Sequence, residues 1–469
     1  MRLDGWARHA LVVAVLALVA AWIALPVFDV PPFIYPFNYD NVDALQLAMS
    51  YSPDTFFTNA GQVYRPFTYF SLWLQHEISG FTLSAFYSLN LFLWLACAVV
   101  AYLLVFVNTA SWMAAGAAAL LLLTDDRFFT ALVWLIERQT TMACVFGALG
   151  LVGAYAAQRL DTPKRILLAG IYIALVLAAL SKEFGLAFAL AVATVAIVGS
   201  PRYRSALLRI AAAAIVTYLA LRWIVASGPL LGSETSSNRG FFQGSEPEYA
   251  GRGLCEMMGL GGTIEHVCYG DLGTGEKLGR YAWNIAATFV GIIFPPLIGD
   301  NGEIVAPTFL GETFGASQGY VGFSWSSLIV PTVVLALAIV GWRRNPRLTL
   351  PLLVVIVGNA LLSFLYFRDR NVLAGVIALY ATAGIGATYL AAWAKENWLT
   401  GRPPWMRIAV VAIVPLALAY ATATRGDAFS EELDGAKGNY ATRNPCDEVE
   451  NFGRTVPQRI AEKFDLPDC

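Results

Sequence analysis

The sequence predicts an all-α protein that crosses a membrane many times, and two observations support this fold class. The chain has 469 residues, of which 57% are hydrophobic and only 14% are charged, whereas a soluble domain carries about 25% charged residues. Several apolar stretches also reach the roughly 17–25 residues that a helix needs to cross a bilayer. The net charge of -2 argues neither for nor against nucleic acid, and the sequence shows no basic cluster of the type that binds nucleic acid.

We place eleven membrane spans in the sequence. They lie near residues 9–28, 83–107, 111–124, 139–157, 166–181, 184–199, 206–227, 326–342, 348–366, 371–393 and 408–424. The first span resembles a signal peptide, because Arg2 and Arg8 precede its apolar run. We expect it to be retained, since the run is long and Ile23-Ala24-Leu25-Pro26-Val27 is a poor cleavage site.

Lysine and arginine set the predicted orientation. Four basic clusters fall in loops on one side of the membrane, and they begin at Arg159, Arg202, Arg343 and Lys395. Because such clusters favour the cytoplasm, the N-terminus is predicted to be cytoplasmic and the C-terminus external. The same parity predicts that segment 281–298 is a re-entrant or interfacial helix, and Pro295-Pro296 disfavours a simple crossing.

These spans divide the chain into a transmembrane catalytic domain, residues 1–424, and a small external tail, residues 425–469. Two external segments, 29–82 and 228–325, interrupt the domain. Because the cytoplasmic loops are all short, we expect the chemistry to take place on the external face.

The cysteines agree with this orientation. Two pairs each lie close together in a predicted external segment: Cys255 with Cys268, and Cys446 with Cys469. We predict two disulfides, since these bonds persist in oxidising compartments. A zinc site with His266 is the alternative, but its spacing fits no standard pattern. Cys97 and Cys144 lie inside spans and are predicted to be packing residues.

Carboxylates at the outer ends of spans are the candidate catalytic groups. Asp40 lies just outside the first span, where a carboxylate beside lipid is costly and usually functional. It is the candidate general base for an acceptor; as an alternative, Asp40 caps a helix over 42–50. Asp43 is a candidate for either role, the general base or the helix cap. Asp125 and Asp126 cap the third span, as acids that hold a metal or orient an acceptor, or as a solvated helix end.

Cations at the same face are the candidate phosphate ligands. They come from different spans: Arg65, Arg138, Lys182, Arg222, Arg368 and Arg370. Arginine binds phosphate as a two-pronged fork and lysine as a point charge. For each cation alone, snorkelling to the interface is the better explanation, but it explains the whole set less well. We expect Glu183 to hold its neighbour Lys182 in place.

Several short motifs occur in a recognisable order. They are Tyr39-Asp40, Tyr64-Arg65-Pro66, Phe86-Tyr87-Ser88-Leu89-Asn90, Val133-Trp134 with Arg138, and Ser181-Lys182-Glu183. Over roughly residues 30–225 they resemble the GT-C superfamily of integral-membrane glycosyltransferases. The likeness is to the O-mannosyltransferases that carry tetratricopeptide repeats and to their repeat-free bacterial relatives.

The resemblance implies an inverting transfer of a sugar from a polyprenyl- or dolichyl-phosphate donor, with Asp40 as the acidic catalytic residue. It implies that Arg65, Lys182, Glu183 and Arg368 line the donor side, and Tyr64, next to Arg65 in the motif, is a further candidate donor-binding residue. Asp43 and Asn90 are then the candidate acceptor-binding residues. We expect the protein to lie in the bacterial inner membrane with its site facing the periplasm, and the acceptor to be a lipid, a glycan or a protein. A divalent metal is a possible cofactor, because metal-dependent and metal-independent GT-C enzymes both exist.

The sequence departs from the pattern of these relatives in three places. The paired acid of the first loop reads Asp40-Asn41, and two histidines of the family are replaced by Tyr87 and Trp94. The repeats are missing. Two other functions remain open: a transporter or flippase of a lipid-linked glycan, and a polymerase or ligase of surface polysaccharide. Transporters often show internal repeats and helices broken at the midplane, and the sequence shows neither.

Overall fold

The computed structural model describes residues 3–24, 65–80, 82–125, 132, 135–161, 164–227, 274–294, 329–363 and 372–399, and within them the regular structure is helical throughout. The α-helices, in chain order, are α1 Leu3–Ala24, α2 Pro66–Ser79, α3 Leu83–Thr109, α4 Trp112–Leu123, α5 Arg138–Ala157, α6 Arg165–Ser181, α7 Gly185–Val198, α8 Pro201–Ser227, α9 Thr274–Ile293, α10 Ile329–Arg344, α11 Pro346–Leu362 and α12 Leu373–Ala394. A 3₁₀ turn, Leu135–Glu137, leads directly into α5.

The apolar character of the predicted spans is confirmed in the described part of the chain. Five helices are long and apolar enough to cross a membrane: Trp6–Ala24, Ser84–Thr109, Arg138–Ala157, Pro201–Ile224 and Leu373–Asn397. Shorter apolar helices accompany them at Trp112–Leu123, Arg165–Ser181, Gly185–Val198 and Pro346–Leu362. The protein is therefore an integral membrane protein with an all-helical bundle. The predicted span at 408–424 and the external tail lie outside the described residues.

Helix α2 is an element that the sequence analysis did not separate from the first external segment. Its 14 residues are too few to cross a bilayer, and so its apolar side chains were assigned to an external loop. Pro66 occupies the first helical turn, where a backbone N–H would have no hydrogen-bond acceptor within the helix, so proline is tolerated there. The buried side chains Thr68, Tyr69 and Leu72 face the bundle. Helix α2 packs mainly against α6, which brings Arg65 to the bundle end.

Helix α9 overlaps the segment that was predicted to be re-entrant or interfacial. It begins at Thr274 and ends at Ile293, and it is not among the described helices that are long and apolar enough to span. Its second half packs on α11 and α12, where Ala287, Thr288 and Ile292 are buried. Nearer its start, Leu278 has an accessible fraction of 62%. Whether α9 enters the membrane remains a prediction.

The core of the bundle combines large and small apolar residues, and α3, α4, α5 and α12 contribute many of them. Every residue from Leu373 to Gly386 on α12 is buried, so this helix runs through the centre of the packing. Alanine and glycine are frequent along it, and small side chains let helices approach closely where lipid gives no hydrophobic driving force. Cys97 and Cys144 are free thiols in this core, which confirms the prediction that they are packing residues.

A tight turn between α6 and α7 fixes the place of Lys182 and Glu183. The turn consists of Lys182–Phe184, and Gly185 starts the next helix. A Cβ atom at Gly185 would lie 2.3 Å from the backbone carbon of Ala178, a separation that real side chains do not reach. Glycine is therefore required for the chain to reverse direction in so few residues. The two charged side chains are held at the tip of a helical hairpin, as the sequence predicted.

Candidate active site

Charged and polar side chains from three parts of the chain meet at one end of the bundle. Arg65 stands immediately before α2. Glu137, Gln139 and Thr140 belong to the start of α5. Lys182 and Glu183 form the turn between α6 and α7. We call these six residues the polar network.

The outer part of the network is the ion pair between Arg65 and Glu183. The Arg65 Nε donates to Glu183 Oε2 at 3.2 Å, and Nη2 donates to Oε1 at 2.9 Å. Arg65 Nη1 donates to the side-chain oxygen of Gln139 at 2.7 Å. The two charged side chains are 15% and 22% exposed. This two-point contact is the strong geometry for an arginine and a carboxylate, and it remains within reach of solvent.

The Arg65 guanidinium controls the ionisation of Glu183. Burial alone raises the pKa of this carboxyl group, but the charge of Arg65 and its hydrogen bonds more than offset that effect. The charge of Arg222 acts in the same direction, and the resulting pKa is about 2. Glu183 is therefore ionised at any physiological pH.

The inner part of the network is the ion pair between Lys182 and Glu137. Lys182 Nζ lies 3.5 Å from Glu137 Oε2 and donates to Thr140 Oγ1 at 2.6 Å. The Thr140 hydroxyl in turn donates to Glu137 Oε2 at 2.5 Å. Lys182 and Glu137 are 3% and 1% exposed, so this pair is sealed from water. The Lys182 Nζ also lies 5.0 Å from the centre of the Phe184 ring, a favourable position for a cation.

Gln139 joins the two ion pairs into one network. Its oxygen accepts from Arg65, and its Nε2 donates to Glu137 Oε1 at 3.4 Å. The expected contact of Glu183 with Lys182 differs from the pairing found: Glu183 bonds to Arg65, and Lys182 pairs with Glu137. Glu137 was not singled out from the sequence. The signal that could have identified it is a carboxylate at the edge of an apolar run, next to Arg138.

Arg222 lies beside the network. It is near the end of α8, and its Nη1 donates to the Tyr218 hydroxyl at 2.6 Å. Its charge helps to lower the pKa of Glu183. The structure therefore brings together three of the predicted donor-binding cations, Arg65, Lys182 and Arg222.

Arg138 forms a separate buried centre with Asn90 and Phe86. The Arg138 side chain is fully buried, with its Nε donating to Asn90 Oδ1 at 3.2 Å and its Nη2 to the Phe86 carbonyl at 3.4 Å. The guanidinium carbon lies 5.5 Å from the centre of the Phe86 ring. Within the described part of the chain, Arg138 Nη1 has no hydrogen-bond partner. Neither Arg138 nor Lys182 reaches the interface by snorkelling.

Asn90, which was predicted to bind the acceptor, is buried next to Arg138. Its Nδ2 donates to the Leu132 carbonyl at 3.3 Å, while its oxygen accepts from Arg138. In this structure Asn90 orients the guanidinium. Its role toward an acceptor stays a prediction.

Asp125 is also buried, at the end of α4, with 3% of its surface exposed. Its Oδ2 accepts a hydrogen bond from the Tyr380 hydroxyl of α12 at 2.7 Å. The alternative of a solvated helix end therefore does not describe Asp125.

The remaining predicted site residues lie outside the described residues. They are Asp40, Asp43, Tyr64, Asp126, Arg368 and Arg370, together with Cys255, Cys268, Cys446 and Cys469. The predicted disulfides and the predicted base are therefore untested. In the described ranges, no group of three or more His, Cys, Asp or Glu residues is placed to hold a metal ion.

Similarity to known proteins concerns the fold. The sequence matches no protein-family model, and no curated protein matches it. Two solved structures from Archaeoglobus fulgidus share the architecture. One is the archaeal oligosaccharyltransferase AglB in complex with an inhibitory peptide and a dolichol-phosphate, with a TM-score of 0.53, 13% identity and 91% of this chain covered. The other is the oligosaccharyltransferase in its apo form, with a TM-score of 0.52, 14% identity and 90% coverage.

This chain spans 56% of the length of each of these two proteins. At such low identity, the likeness does not extend to individual site residues, and the particular resemblance to O-mannosyltransferases stays a prediction. The chain therefore shares its fold with the archaeal oligosaccharyltransferase AglB.

Proposed function

We propose that this protein is a glycosyltransferase that moves a sugar from a polyprenyl-phosphate donor to an acceptor at the outer face of the membrane. The observation that carries the proposal is the polar network. It places four charged side chains, Arg65, Glu137, Lys182 and Glu183, at one end of an apolar bundle that shares its fold with AglB.

The cost of these charges favours a network that serves a functional site over one that serves stability alone. Removing an ion pair from water costs several kcal/mol per ion. Replacing the pair with packed apolar side chains of similar volume often leaves the stability unchanged or raises it. Ionisable groups inside membrane proteins accordingly tend to mark sites for substrates or ions. The Lys182–Glu137 pair, with exposed fractions of 3% and 1%, bears most of this cost.

The proposed ligand of the cations is the phosphate of the donor lipid. A departing phosphate needs positive charge around it, and arginine offers a fork that matches its oxygens. The AglB structure contains a dolichol-phosphate, which supports a ligand of the same class here. In this proposal Arg65 and Arg222 face the phosphate, together with Tyr64, Arg368 and Arg370, and Lys182 serves the donor side by holding the α6–α7 turn that carries Glu183.

Arg138 is the cation best suited to an anionic partner of its own. Arg65 and Lys182 each have a carboxylate beside them, whereas Arg138 has no carboxylate among its contacts in the described residues. An uncompensated charge in a buried position is costly. An anion that bonds to Nη1 would relieve that cost, and this supports a donor-side role for Arg138.

The proposed reaction breaks the bond between the anomeric carbon of the sugar and the phosphate oxygen. A new bond forms between that carbon and an acceptor hydroxyl or amide, on the opposite face of the sugar ring. The acceptor proton passes to Asp40, the proposed general base. Asp43 and Asn90 are the proposed acceptor-binding residues. The polyprenyl phosphate leaves with the bonding electrons. Asp125 and Asp126 are the proposed acids that hold a metal or orient the acceptor.

The proposed location follows from the charge distribution. The Lys and Arg clusters favour a cytoplasmic N-terminus, and this orientation puts the polar network at the external face. For a bacterial chain, that face is the periplasmic side of the inner membrane.

Radiolabelled donors test this function directly. The purified full chain, returned to membranes from cells that lack it, is mixed with tritiated mannosyl, glucosyl and N-acetylglucosaminyl polyprenyl phosphates. We expect one donor to lose its label to a lipid-free or altered-lipid product, with polyprenyl phosphate released in equal amount. Asp40→Asn is expected to reduce this transfer by about 10²–10⁴.

A flippase predicts a different outcome in the same system. Labelled donor would then cross the bilayer of sealed vesicles without any bond being broken. Movement without release of polyprenyl phosphate, for every donor, contradicts the proposed function.

A further inference from the structure

The contact between Asp125 and Tyr380 joins two residues that are far apart in the sequence. Asp125 directly follows the turn that ends α4, and Tyr380 lies on α12. Both side chains are 3% exposed, and the hydroxyl donates to Oδ2 at 2.7 Å. A buried carboxylate and a buried phenol in an apolar bundle both need partners, and this bond provides one for each.

The backbone at the end of α4 holds Asp125 in one place. The Thr124 N–H donates to the Leu120 carbonyl, and the Asp125 N–H donates to the Leu122 carbonyl at 3.2 Å. The Thr124 hydroxyl bonds back to Leu120 as well, at 3.1 Å. These bonds fix the backbone of Asp125 at the end of α4.

The end of a helix is an unfavourable place for a negative charge. Its unsatisfied carbonyl groups give the C-terminus a partial negative charge, which repels a carboxylate. Asp125 sits at this end of α4 and away from water. A hydrogen-bond donor aimed at the carboxylate offsets the repulsion, and Tyr380 is such a donor.

Close packing of α12 against α3 and α4 brings the hydroxyl to Asp125. Gly384 lies one turn after Tyr380, on the same side of α12. A Cβ atom there would meet Val105 on α3 at 2.7 Å and Ala118 on α4 at 3.1 Å. Glycine thus permits the approach of α12 to α4 that carries Tyr380 to the end of that helix.

We propose that Tyr380 is a positioning residue, which acts by holding the Asp125 carboxylate in a single orientation toward the reacting groups. The inference rests on the proposed function, in which Asp125 is one of the catalytic acids. Tyr380 does not touch the substrate in this account. Its effect on transfer passes entirely through Asp125.

A double-mutant cycle on transfer tests this dependence, with the full chain and the tritiated polyprenyl-phosphate sugars described above. Tyr380→Phe removes the hydroxyl and keeps the ring. A hydrogen bond to a charged group of this kind corresponds to about a tenfold to hundredfold effect. We expect a loss of that size in kcat, with little change in the KM for the donor. In an Asp125→Asn background, the same substitution is expected to change the residual rate less than threefold, roughly the scatter of independent effects.

Two further variants separate positioning from a general loss of structure. Replacing Tyr380 with para-aminophenylalanine restores a donor at the same ring position and is expected to restore most of the rate. Tyr389→Phe is the matched control, because Tyr389 lies on α12 too and its hydroxyl accepts from Asn345 Nδ2 at 3.0 Å, at the other end of the helix. It is expected to transfer sugar at the wild-type rate.

The outcomes distinguish failure of this inference from failure of the proposed function. If Tyr380→Phe transfers as fast as Tyr389→Phe, or if its effect is the same with and without Asp125→Asn, the inference is wrong although the function stands. If the wild type and Tyr389→Phe transfer no label from any of the donors, the proposed function fails, and the inference about Tyr380 fails with it.

Discussion

The two ion pairs of the polar network differ chiefly in their access to water. Lys182 and Glu137 are 3% and 1% exposed, whereas Arg65 and Glu183 are 15% and 22% exposed. The inner pair is sealed and shares a hydroxyl with Thr140; the outer pair has a bidentate geometry at the rim. A sealed pair fixes structure, and a pair at the rim can exchange its carboxylate for another anion. We therefore assign the positioning of the α6–α7 turn to the inner pair and contact with the donor to the outer pair.

The largest expected effect is on stability, from breaking the inner pair. Glu137→Gln leaves Lys182 charged and buried without its carboxylate, and removing one partner of such a pair costs about 3–5 kcal/mol. Thermal unfolding of the purified protein in detergent measures this loss. The double variant Glu137→Gln with Lys182→Met is expected to recover part of the stability, because no unpaired charge remains. A Glu137→Gln variant as stable as the wild type would contradict the role of the inner pair.

The next effect is on activity, from removing the outer cation. Arg65→Gln is expected to lower transfer at least tenfold, while the free energy of unfolding falls by less than in Glu137→Gln, because the outer pair is more exposed than the inner pair. Arg209→Gln is the matched control. Arg209 is exposed on α8, and its Nε donates to the Ser205 carbonyl of the same helix. Equal transfer by the two variants would remove Arg65 from the donor site.

The smallest expected effect is that of pH on the outer pair. The pKa of Glu183 is lowered from its ordinary value of 4.5 to about 2. The stabilisation from this shift is therefore fully present above pH 4.5 and is lost as the pH falls toward 2. Between pH 5 and 8 the difference in unfolding free energy between the wild type and Glu183→Gln is expected to be constant. A difference that grows across this range would show that Glu183 titrates there.

The contrast between the two pairs also shows where sequence reasoning succeeds. Helices α3 to α8 were predicted close to their observed bounds, because a long apolar run has few alternatives in a membrane. The hairpin tip at Lys182-Glu183 was predicted for the same reason. The helix α2 was missed because 14 residues are too short to be recognised as a span.

The partners in the two ion pairs could not be predicted from the sequence. Lys182 and Glu183 are neighbours in the chain and were expected to pair, but their actual partners, Glu137 and Arg65, come from other helices. Adjacent residues point in different directions, so proximity in sequence is a poor guide to a contact. Tyr380 is a similar case, since its partner Asp125 is 255 positions away. Such contacts are decided by how helices pack, and only the folded bundle specifies that.

The most direct test of the central claim is the binding of two matched lipids to the full chain in nanodiscs. Polyprenyl phosphate and polyprenol of the same length differ only in the phosphate group, and their dissociation constants can be measured by competition with a fluorescent polyprenyl phosphate. If the charged end of the bundle binds the donor phosphate, polyprenyl phosphate should bind at least tenfold more tightly than polyprenol, and Arg65→Gln should remove most of that difference while Arg209→Gln keeps it. Equal affinities for the two lipids in the wild type would contradict the account.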